Sequence, residues 1–120
     1  MPIPAYATAR SAVERAARLR QGGLRSIRFF PEYAAEWPLW DDASDDDLCR
    51  ETLDLSQDLW NEIRSWNEEW ASQFDHDSGW LTALRRDAWF STGDALTKLL
   101  HEELWELAVV TPRFRVYREV

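Results

Sequence analysis

Cysteine is all but missing from this sequence. Cys49 stands alone, so no intrachain disulfide can form and no cysteine-based zinc cluster can be assembled. A lone thiol suits a reducing compartment. Lysine is as scarce, since Lys98 is the only lysine beside 13 arginines. Glycine occurs four times and never in a phosphate-binding loop, a dinucleotide fingerprint or a GxSxG nucleophile turn. No apolar run approaches the roughly 20 residues of a membrane span, and residues 1–12 lack the apolar stretch of a secretory signal. These absences predict a cytoplasmic protein that is not an enzyme, with no membrane partner and no cofactor.

Positive charge is also in deficit. The 120 residues carry 14 Lys+Arg against 22 Asp+Glu, for a formal net charge of −8. The distribution is uneven: residues 1–31 carry +5, residues 32–79 carry −13, and residues 80–120 are neutral. An anionic middle repels phosphate, which disfavours nucleic acid as a ligand except through the arginine-rich N-terminal arm. The same field steers a basic protein toward the chain.

What is abundant is tryptophan, eight residues in a chain whose aromatic fraction is 13%. Length supports one domain with one core, preceded by a basic helical arm over residues 1–23; residues 24–120 form the domain. A weak helix over 6–21 stops at Gly22 and Gly23. Residues 24–30, β-branched and aromatic, read as a strand ended by Pro31. Trp37-Pro38-Leu39-Trp40 falls in a loop that runs to Ser44. A long helix is predicted from Asp46 to Phe74, capped by Ser44 or Asp45. Leu55, Leu59, Ile63, Trp66 and Trp70 recur on one face, opposite Glu51, Asp54, Asp58, Glu62, Glu68 and Glu69. After a turn at 74–79 a second helix runs to about Leu107, continuous or kinked at Ser91-Thr92-Gly93-Asp94. Residues 113–118 alternate with period two and read as a second strand.

The fold class is therefore α+β: two long antiparallel helices packed on a two-stranded sheet of residues 24–30 and 113–118. So small a sheet is marginal alone: either the helices cover it fully, or it continues across a homodimer axis, which the tryptophan content favours.

Trp60, Trp66, Trp70 and Trp89 sit at core spacing, whereas Trp37 and Trp40, beside acids, are candidates for surface recognition. Asp41, Asp42, Asp45, Asp46 and Asp47 form the densest acidic run. They lack the alternating ligands, mid-loop glycine and late Glu of a calcium loop, and read as solvated helix-start residues or a dock for a basic partner. No metal site is expected. His76, between Asp75 and Asp77, reads as a solvated turn. His101-Glu102-Glu103 resembles the start of a metalloprotease motif, but Trp105 occupies the second ligand position. Arg28 and Arg115, with Arg25, Arg113 and Arg118, flank the two strands. They either gather as a basic patch or neutralise acids of the long helix.

The strings 27–33 (IRFFPEY), Pro38-Leu39-Trp40, Trp66-Asn67-Glu68-Glu69-Trp70 and Phe114-Arg115-Val116-Tyr117 resemble a family of small acidic bacterial proteins, over about residues 25–119. The resemblance implies a strand, a Pro-Leu-Trp loop, two helices and a C-terminal strand, and carries no activity. The function expected from the residues is a protein-interaction module of the antitoxin or immunity kind. Its basic partner would meet Trp37, Trp40, Asp41, Asp42, Asp45 and Asp46. The alternative is a small-molecule binder with a tryptophan-lined pocket, in which Arg28 or Arg115 fixes an anion.

Overall fold

The computed structural model describes residues 8–31, 38–41, 53, 55–75 and 77–115. In chain order the elements are α1 (Ala9–Arg20), β1 (Arg25–Phe29), β2 (Leu39–Asp41), α2 (Gln57–Gln73), β3 (Phe74–Asp75), β4 (Gly79–Trp80), α3 (Ala83–Glu103) and β5 (Ala108–Pro112). The α+β class stands. The sheet differs from expectation in having three strands, ordered β2-β1-β5. The Leu39-Trp40 stretch, expected in a loop, is the antiparallel edge strand β2, with Phe29 opposite Leu39 and Ile27 opposite Asp41. The C-terminal strand lies earlier than expected, at 108–112, and pairs in parallel with β1, Arg25 opposite Ala108 and Phe29 opposite Pro112. Arg113 donates its amide to the Phe29 carbonyl, which closes the ladder, and Arg115 lies beyond it. With a third strand supplied by the same chain, the sheet no longer needs a dimer axis to complete it.

α2 begins at Gln57, not Asp46. Ser56 is extended at the N-cap, and its hydroxyl accepts from the Leu59 amide at 3.3 Å. The predicted cap at Ser44 and Asp45 lies outside the described residues, as do Asp47, Cys49, Glu51, Asp54, His76 and Arg118. α2 ends at the predicted turn, which is a small hairpin: Phe74 opposes Trp80, and Gly79 takes φ +78°, the left-handed region open to glycine. The Asp75 carboxylate accepts from the Asp77 and Ser78 amides at 2.8 and 3.1 Å, fixing the turn. The chain then returns as α3, so Trp66 faces Trp89 at mid-helix. Ser56, at the start of α2, meets Glu103, at the end of α3, with amide and hydroxyl bonds of 2.9 and 2.8 Å. The Glu103 carboxylate is ill placed at the negative end of its own helix, but it lies at the positive end of α2.

α3 is unbroken through Gly93. A β-carbon at Gly93 would stand 2.9 Å from the Phe114 ring and 3.0 Å from Trp66. The glycine is therefore a packing requirement and not a break. Around it lies the core. The Trp66 and Trp89 rings stack at 4.2 Å and 7°, and each indole N–H donates to the other residue's carbonyl, at 3.0 and 2.9 Å. Phe29 brings β1 onto Trp66 at 4.6 Å, and Phe114 meets Phe29, Trp66 and Trp89 edge-on. Trp60, Trp66, Trp70 and Trp89 are all buried, as their spacing predicted. Each large ring removes about 150–250 Å² from water, and reciprocal indole bonds leave neither Trp66 nor Trp89 with an unmet donor.

Candidate protein-interaction surface

The predicted recognition patch is described in part. Trp37, Asp42, Asp45 and Asp46 lie outside the described residues. Trp40 and Asp41 sit on β2, and both are engaged by β1 and the residue that follows it. The Trp40 ring stacks on Phe30 at 5.2 Å and 11°, and its indole N–H donates to the Phe30 carbonyl at 3.3 Å. The Asp41 carboxylate meets Arg25 at 3.2 Å. Arg28 donates to the Asp41 carbonyl at 3.4 Å, with its guanidinium 5.8 Å from the Phe30 ring centre.

β5 stops at Pro112, so Arg113 and Arg115 follow the strand, and Arg118 lies outside the described residues. Arg115 bonds Asp94 of α3 at 2.8 Å, with both side chains more than half exposed. Arg25 and Arg115 thus answer acids of the same chain. An exposed pair of the latter kind contributes about 0–1 kcal/mol.

α1 has no buried residue. Arg15 ties it to the domain, donating to the Trp105 and Ala108 carbonyls at 2.8 and 3.1 Å and lying over the Trp105 ring at 4.3 Å. Half-burial, and secondarily the Arg15 guanidinium, hold the His101 imidazole below its usual pKa. Among the described residues no group of three His, Cys, Asp or Glu side chains could hold a metal ion, and no helix is long and apolar enough to cross a membrane.

One concavity was not singled out from the sequence. It is an open groove of about 640 Å³ between α2 and α3. α2 supplies Asn61, Glu62, Ser65 and Glu69 to one wall, and α3 supplies Ser91, Thr92, Ala95 and Leu99 to the other. The edges of Trp66 and Leu96, both buried, form the floor. Leu99 is 40% exposed, an apolar surface left in water. Neither Glu62 nor Glu69 has an ion-pair partner among the described residues, whereas Glu68 beside them meets Arg64 at 3.3 Å. The signal was present in the spacing: positions 62, 65 and 69 step by three and four and share one face. A smaller depression of about 510 Å³ is lined by Glu102, Glu103, Trp105, Glu106 and Leu107. Glu103 there is occupied by Ser56.

The stacked Trp66 and Trp89 leave no space between their rings for a ligand, and among the described residues Trp66 is the one tryptophan that borders the larger groove. The surface is suited to contact and charge pairing. No curated protein matches the sequence. Residues 25–111, from the first residue of β1 to the fourth of β5, match the Serratia CdiI immunity protein-like family, and the chain belongs to that family.

Proposed function

We propose that this chain is an immunity protein that acts by binding a toxin and keeping it from its target, with no catalysis of its own. The observation that carries the reading is the family match over residues 25–111, which takes in α2, α3 and most of the sheet. The partner is a basic protein, since residues 32–79 carry −13 and an opposite field raises the rate of encounter. Residues 24–120 are the binding unit, and residues 1–23 are an accessory arm. The protein works in the cytoplasm. Trp40, Asp41 and Arg28 serve the interface by holding β2 on the sheet edge, because their ring, carboxylate and guanidinium are engaged there. Arg115 does the same for the segment after β5 through Asp94.

The test is co-expression with the toxin-domain product of a neighbouring gene. The chain restores growth of cells that express the toxin domain alone, and the two proteins co-elute by size exclusion. Continued growth arrest with no co-elution overturns the reading.

A further inference from the structure

The two carboxylates at the rim of the α2–α3 groove are seven residues apart on one helix, a rise of about 10 Å. Both are exposed, and neither is neutralised by a cation of the described chain. Between them Ser65 is small, so nothing on α2 bulges into the groove. Across from them Ala95 and Leu99 present an apolar wall. Like charges along an apolar trough oppose self-association of this face, since a second copy would bring carboxylate to carboxylate. Phosphate-bearing ligands are repelled for the same reason. The complement of this surface is a segment with two basic side chains about 10 Å apart and an aliphatic or aromatic side chain between them.

We propose that the α2–α3 groove is the docking site for a cationic segment of the toxin, with basic side chains on Glu62 and Glu69 and an apolar side chain against Ala95, Leu96 and Leu99. This rests on the immunity reading and assigns its contact surface. Partially desolvated charge pairs beside an apolar contact hold affinity better than exposed pairs do.

The experiment measures binding of the same toxin-domain product by titration calorimetry to four full-length proteins, each first checked for native circular dichroism. These are the wild type, Glu62→Lys/Glu69→Lys, the charge-matched Glu102→Lys/Glu106→Lys, and Ser65→Arg. An arginine at 65 lies within helical reach of both Glu62 and Glu69 and answers their charge from within the chain, without a charge reversal that threatens folding. The groove double variant is expected to bind about 100-fold more weakly, and Ser65→Arg about 10-fold. The matched double variant should remain within about 3-fold of wild type. Equal losses from the two double variants overturn the groove assignment, because the whole-molecule field then suffices. Wild-type affinity in Ser65→Arg and in the groove variant also overturns it. Absence of binding by the wild type is a different result, which removes the immunity reading itself.

Discussion

At the scale of a single residue, Gly93 decides how the helices meet. Intrinsic propensity says that alanine at a helix interior gains about 1 kcal/mol over glycine. Here the added β-carbon would stand 2.9–3.0 Å from rings that are themselves locked, Phe114 among four aromatic neighbours and Trp66 by stacking and a hydrogen bond. Overpacking of a core costs about 1–3 kcal/mol, and the rings have nowhere to turn. Gly93→Ala is therefore expected to lower stability by about 1–2 kcal/mol net, read by urea denaturation followed by tryptophan fluorescence. An increase in stability would show that the rings yield. This also explains why the 91–94 stretch was ambiguous in sequence. A glycine reads as a weak point in a helix unless the ring it faces is known, and that ring, Phe114, is 21 residues away.

At the scale of the element, the last turn of α3 and the arm α1 share one electrostatic arrangement. His101 ends α3, where the helix dipole favours its charged form, yet half-burial and Arg15 outweigh that and lower its pKa from 6.5. The unfolded chain thus binds a proton more readily than the folded one. The stability from a neutral His101 is fully present above pH 6.5 and is lost as pH falls through the folded-state value. Denaturant midpoints should fall below pH 6.5 in the wild type, and His101→Gln should flatten that part of the profile. A profile unchanged by the substitution would assign the acid loss to other groups. The elements themselves were unevenly legible. Leu59, Ile63, Trp66 and Trp70 announced α2 because one face repeats at the helical period and all four are buried. The Arg-Phe-Arg-Val-Tyr-Arg stretch alternates as a half-exposed strand does, and so points to a final strand that starts five residues late. The true strand, Ala108–Pro112, pairs in parallel, and parallel strands read as plain apolar runs with no alternation. β2 is only three residues long, too short for any periodicity to declare itself.

At the scale of the whole molecule, charge and core answer different questions. The family match covers α2, α3 and most of the sheet, whereas Asp58, Glu62, Glu68 and Glu69 of α2 are exposed side chains that packing leaves free to vary. The acidic character of the middle segment was legible at once. The groove was not, because only the antiparallel crossing of α2 and α3 sets Glu62 and Glu69 opposite Leu99. A complex driven by this field should associate more slowly as salt rises, about 10-fold or more between low and physiological ionic strength. Its dissociation rate should change far less. Stopped-flow mixing with the toxin domain at two salt concentrations reads both, and an association rate indifferent to salt would remove electrostatic steering.

The parallel ladder between β1 and β5 has a consequence for biosynthesis. Arg25 lies opposite Ala108, so the middle strand of the sheet waits for a partner synthesised 83 residues later. Chain emerging from a ribosome can wind α2 and close the β3–β4 hairpin first, since both lie within residues 57–80. The β1–β5 ladder seals only once Ala108–Pro112 has left the exit tunnel, and contacts between such distant segments close slowly. A ribosome stalled short of Ala108 therefore yields a product in which β1 has one neighbour instead of two.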